Sequence, residues 1–195
     1  MAHKPCGLIA VIPPALQKGW AADFTALVKR FRPAALVFRN PSQDDLSAIV
    51  TAARPLDIAV LLADDLVTAC NSGTAGVYYS AAGGPVAKAR DALGSSAVIG
   101  AYCGLSRHDA MESAEAGADF VAFDASSPSQ FAQAEDLSCW WDEMTGVPAA
   151  LAFGSSSPAP GVLSKARPDF IIIEEKDKAG ESLTFATEFG LQSQV

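Results

Sequence analysis

"VLLADDLVTACNSGTAGVYYSAAGGPVAKARDALG", Val60 to Gly94, holds two beats of one rhythm. The apolar run at its start closes a strand-like stretch, Asp57–Ala63, and leads into a short helical one, Asp65–Asn71. A second strand-like run, "AGVYYS" (Ala75–Ser80), is followed by "GPVAKARDALG", with Pro85 near the helix start and Gly94 at its end. Both strand runs are apolar on both faces rather than alternating, as expected of parallel strands covered by helices.

The same unit recurs outward in both directions. Toward the N-terminus, "GLIAVIP" (Gly7–Pro13) precedes an amphipathic stretch, Gly19–Arg32, with Trp20, Phe24, Leu27, Val28 and Phe31 on one face. "AALVFR" (Ala34–Arg39) leads through Pro41 and a Ser42 N-cap into "QDDLSAIVTAAR", whose early acids suit a helix N-terminus. Toward the C-terminus, "AVIGAY" (Ala97–Tyr102) precedes "SRHDAMESAEAG", capped by Ser106 and stopped by Gly117. "DFVAFD" (Asp119–Asp124) precedes a Ser/Gln-rich stretch and then the helix "LSCWWDEMTG". "VPAALAF" (Val147–Phe153) precedes "SPAPGVLSKAR", and "DFIIIEE" (Asp169–Glu175) precedes "GESLTFATEFG". Eight strand–helix pairs predict a compact (β/α)₈ TIM barrel over residues 1–195, since open doubly wound sheets stop at about five or six strands. No linker, low-complexity tract or charge run divides the chain, so one domain is expected.

Composition narrows the functional classes. The chain is 50% hydrophobic and 18% charged, with a net charge of −8. That charge argues against nucleic acid or an anionic membrane surface as a partner, because both reward clustered Lys and Arg. No apolar run approaches the roughly 18 residues of a membrane span, and "GLIAVIPP" is too short for a signal peptide core. Cys6, Cys70, Cys103 and Cys139 are scattered, without CxxC or a nearby His pair. They read as reduced, buried thiols of a cytoplasmic protein rather than a zinc site.

From about Leu8 to Ile173 the chain resembles the thiamine phosphate synthase family and its thiazole tautomerase relatives. The resemblance is carried by Val60–Gly94 followed by "VIGAYCGLSRHDAMESAEAGADFVAF". The most specific pieces are "SRHDAME" and "EAGADFVAF". It implies a barrel with chemistry at the C-terminal strand ends. There the synthase joins a hydroxymethylpyrimidine diphosphate to a thiazole phosphate and releases pyrophosphate. Mg²⁺ neutralises the diphosphate, and backbone amides hold the thiazole phosphate. Departure of pyrophosphate leaves a pyrimidine cation, so such a site works by positioning and charge rather than through a protein nucleophile.

Set against the family's motifs, the strand-two Gln-x-Arg-x-Lys becomes "VFRNP", keeping Arg39 but placing Val37 and Pro41 at the other two positions. Asp64 matches the metal-binding aspartate; its alternative role is a cap for the helix beginning at Asp65. His-x-Gly-Gln-Glu-Asp becomes Tyr78–Gly83, so the second magnesium carboxylate maps to Gly83, which has no ligand atom. The strand-five Ser-x-His becomes Tyr102-Cys103-Gly104, removing the proton-transfer histidine, with His108 expected on a helix surface and Cys103 expected to be structural. Pro128 and Ser129 match a Pro-Thr pair, and Asp124 replaces a glycine. Gly154, Ser155 and Ser156 partly match a glycine-rich phosphate loop. Glu174-Glu175 closes strand eight near the family's phosphate site, where a carboxylate repels phosphate unless Lys176 or Lys178 pairs with it.

Three readings remain open at this point. The first is a divergent paralogue that keeps the barrel and loses the coupling chemistry. The second is a divergent but active synthase using Arg39, Asp64, Ser129, Gly154, Ser155 and Ser156, with Mg²⁺ as cofactor. The third is a non-catalytic binding or interaction protein, acting on its own homo-oligomer or on a related enzyme, whose apolar mouth is lined by Tyr78, Tyr79, Tyr102 and Phe123. A small phosphorylated molecule is the ligand that the resemblance implies.

Overall fold

The computed structural model describes residues 6–12, 28, 31–154 and 168–174. Eight parallel strands close into a barrel in sequence order. They are β1 (Gly7–Ile12), β2 (Ala35–Phe38), β3 (Ala59–Ala63), β4 (Gly76–Tyr79), β5 (Val98–Gly104), β6 (Phe120–Asp124), β7 (Ala149–Gly154) and β8 (Phe170–Glu174). β1 closes the ring by pairing with both β2 and β8, with Val11 opposite Val37 on one side and Glu174 on the other. The expected eightfold strand alternation is therefore present. The helical stretches expected at Gly19–Arg32 (apart from Val28, Phe31 and Arg32), within Ser157–Arg167 and within Gly180–Gly190 lie outside the described residues.

Between the strands lie helices Gln43–Ala53, Leu66–Ser72, Val86–Leu93, Arg107–Glu115 and Pro128–Met144. Their starts follow local chemistry. Ser42, Asp65, Ser106 and Ser127 each accept a hydrogen bond from the backbone N–H three residues on, satisfying a donor that the first turn leaves open. One sequence reading is corrected here. The helix after β6 begins at Pro128, not Leu137, so the Ser/Gln-rich stretch is its first half. Pro128 stands at the helix start, where its missing N–H costs nothing, and the Ser127 cap fixes the entry.

Period-two alternation sends each strand's residues to two different cores. Outward residues such as Leu36, Leu62, Phe123 and Phe153 meet the helices, with Phe123 packed edge-on against Trp141 at 6.2 Å. Inward residues fill the barrel in layers drawn from alternate strands. Low in the barrel, Phe120 stacks on Tyr78 at 5.9 Å and meets Phe170 at 6.0 Å. Gly100 makes room for this plug, because a Cβ there would come 2.1 Å from the Phe120 ring. Continuing upward from the inward Val37, Tyr78, Ala122 and Ile172, the same parity brings Arg39, Ser80, Asp124 and Glu174 to the C-terminal rim.

Candidate functional site in the barrel mouth

A cavity of about 190 Å³ opens at the C-terminal strand ends. Its floor is formed by Val11, Tyr78, Ala152 and Ile172, and its rim by Arg39, Ser80, Tyr102, Asp124, Ser126, Gly154 and Glu174. A larger cavity of about 320 Å³ lies at the opposite end, among Ala34, Arg54, Asp57 and Ala75. Barrels of this kind carry chemistry at the C-terminal face, so the smaller cavity is the candidate site.

One half of the rim is a linked set of charges. The Asp64 carboxylate accepts from the Ser80 backbone N–H at 2.9 Å and also from the Ser80 hydroxyl. Arg39 Nη1 donates to Ser80 Oγ at 3.2 Å and stands 4.0 Å from Asp64. On its other side Arg39 Nε is 3.4 Å from Glu174 Oε1. The two proposed roles of Asp64 can now be separated. Asp65, not Asp64, caps the helix after β3, accepting from Thr68 N–H at 2.9 Å. Asp64 instead follows the strand with a left-handed φ of 56° and ties β3 to the end of β4.

The other half centres on Asp124. Its two oxygens accept from Ser126 N–H at 3.0 Å and from Gln130 Nε2 at 2.6 Å. Tyr102 also hydrogen-bonds to Asp124; desolvation, then that bond and the carboxylate's charge, push its phenol up to about 12. The Tyr78 hydroxyl lies on the floor, and burial above all raises its pKa, so it stays protonated. Ser129, expected at the rim, lies in the first helical turn, with its hydroxyl 3.1 Å from that of Ser127. Ser155, Ser156, Glu175, Lys176 and Lys178 lie outside the described residues.

The apolar mouth expected for a binding protein is corrected in two places. Tyr79 and Phe123 turn outward into the helix-facing core, whereas Tyr78 and Tyr102 face the cavity. Cys103 is buried on the outer face with Ser113 Oγ at 3.8 Å, and desolvation raises its thiol to about 11. It is a packing residue. His108 is 75% exposed and pairs with Glu112 along its helix, as a surface residue would.

The donor set does not match a two-carboxylate magnesium site. Mg²⁺ needs oxygen ligands in near-octahedral geometry, often from one or two carboxylates plus substrate phosphates. Here Asp64 is bonded to Ser80 and stands beside Arg39, Asp65 caps a helix, and Gly83 faces open space with no side-chain oxygen.

The family model described as thiamine monophosphate synthase matches residues 34–149. Thiamine-phosphate synthase of Rhodospirillum centenum is 31% identical over 180 residues, covering 86% of this chain and 87% of its own. The chain belongs to the thiamine monophosphate synthase family. The corresponding protein of Erythrobacter litoralis is 32% identical over 143 residues, covering 70% of this chain and 67% of its own. In three dimensions the thiamine phosphate pyrophosphorylase of Pyrococcus furiosus superposes with a TM-score of 0.67. That match covers 93% of this chain and 95% of that one at 16% identity, a likeness of fold.

What sequence reading missed in this family member was the partnership among rim residues. Asp124, Glu174 and Ser80 share inward parity with Ala122, Ile172 and Tyr78. That count along each strand was the signal available to find them. Among the described residues, no helix is long and apolar enough to cross a membrane.

Proposed function

We propose that this chain is a divergent member of the thiamine monophosphate synthase family, in which the coupling of a pyrimidine diphosphate to thiazole phosphate has been lost or redirected. The observation that carries this reading is the state of Arg39. Its guanidinium, the cation kept from the strand-two motif, is engaged by Glu174, Ser80 and Asp64 within a rim that also holds Asp124. A diphosphate arriving there meets two carboxylates beside that cation and a third, Asp124, elsewhere on the rim, and like charges about 4 Å apart repel by about a kcal/mol or more each. Gly83 adds no metal ligand to offset them.

The test is a coupling assay on purified protein with both phosphorylated precursors and Mg²⁺. The expected result is no thiamine phosphate above background. Magnesium-dependent product formation would overturn the proposal.

A second reading, a divergent but active synthase, is favoured by the relatives' names and by the convergence of Arg39 with Asp64. It requires saturable binding of pyrophosphate with Mg²⁺ that weakens in Asp64→Ala, which titration calorimetry measures. Gly154 at the cavity wall would serve either reading, since its φ of +58° exposes backbone beside the ligand space.

A further inference from the structure

We infer that Glu174 is the mouth's own resident anion: it fills the anion-binding side of Arg39 and thereby sets the specificity of the site against phosphoryl ligands. This inference rests on the proposed function above and deepens it by naming the residue responsible.

Glu174 is the last residue of β8, opposite Val11 in the β1 register and of the same inward parity as Ile172. Its side chain reaches across to Arg39 Nε at 3.4 Å, while Nη1 is turned toward Ser80 and Asp64. An arginine presents donors that suit one carboxylate or one phosphate at a time, and here a protein carboxylate stands beside the Nε edge as an ion pair. The pair is not sealed off. The two side chains are 32% and 36% exposed, and both line the cavity. A ligand can reach the guanidinium but must displace a covalently tethered competitor. Even when displaced, that competitor leaves its charge beside the incoming anion.

The second tether acts in the same direction. Ser80 bridges Arg39 and Asp64, so the guanidinium is held between β4 and β8 rather than free to swing toward a ligand. Glu174 is the more replaceable of the two anchors, because Asp64 also holds the Ser80 backbone N–H.

The test compares binding of inorganic pyrophosphate, in EDTA and at fixed ionic strength, by titration calorimetry. Glu174→Gln keeps the shape and removes the charge, and Glu174→Ala serves as a second variant, with circular dichroism checking that each is folded. Pyrophosphate is expected to bind at least about tenfold more tightly to either variant than to the wild type. The gain should shrink as salt is raised, as expected for exposed charges. It should vanish in the double variant Arg39→Ala/Glu174→Gln. Equal affinity in wild type and both variants, whether tight or undetectable, would overturn the inference, as would a gain that survives loss of Arg39. The coupling assay is independent of this result. A wild type that makes thiamine phosphate overturns the proposed function, whereas variants without a gain overturn only the role given to Glu174.

Discussion

Tyr78 and Tyr79 are chain neighbours with opposite fates. Tyr78 points into the barrel, stacks on Phe120 and offers its hydroxyl to the cavity. Tyr79 points the other way, packs against Gly84 and buries a hydroxyl for which the described residues provide no hydrogen-bond partner. A buried polar group without a partner costs about 1–3 kcal/mol of desolvation, so removing it should do no harm. Tyr79→Phe is expected to unfold in urea within about 0.5 kcal/mol of the wild type or at higher stability. A loss above about 1 kcal/mol would show that the hydroxyl is satisfied in solution. The same alternation explains Ser80. As an isolated letter after two tyrosines it carries little information, yet inward parity gives it contacts with Asp64 and Arg39 at once.

At the scale of elements, the base of the barrel is held by a side-chain clamp. Arg90, in the helix Val86–Leu93, donates to the carbonyls of Gly94, Ala97 and Gly117 and pairs with Asp119 at 2.6 Å. Asp119 in turn accepts from Ile99 N–H at 2.7 Å, so one helix is fastened to the starts of both β5 and β6. Arg90→Ala leaves those carbonyls and that carboxylate short of donors. It should cost about 2–4 kcal/mol in urea unfolding, and Arg90→Lys should recover only part, because an ammonium cannot span the same acceptors.

Strands were legible in the sequence because burial on both faces leaves continuous apolar runs; the expected "DFVAFD" differs from β6 by one residue. The helix after β6 was not. Ser and Gln at its start read as a loop until the Ser127 cap and the Gln130–Asp124 bond are seen to hold them in place. Rim contacts were least legible, since Arg39 and Glu174 stand 135 positions apart and meet only on closure of the ring.

At the scale of the whole molecule, the buried ionisable groups make the barrel sensitive to alkali. Burial raises the Cys103 thiol from 9.0 to about 11, and burial with the charge of Asp169 raises Cys6 from 9.0 to about 12. Tyr102 rises from 10.0 to about 12. These folded-state values lie above the unfolded ones, so the unfolded chain releases its protons first as pH rises. The stability involved is fully present below about pH 9 and is lost progressively toward about pH 12. Urea midpoints measured across this range should fall for the wild type and fall less steeply for Cys103→Ala. Parallel declines would remove Cys103 from the account.

The aromatic plug of Phe120, Tyr78 and Phe170 also bears on how such a chain can change over generations. It lies below the rim, and the rim charges are partly open to solvent, with Asp64 45% exposed. Folding and ligand choice therefore draw on different layers of the same eight strands. A lineage can exchange one rim residue at a time while the plug keeps the barrel closed, so this architecture outlives any particular chemistry held at its mouth.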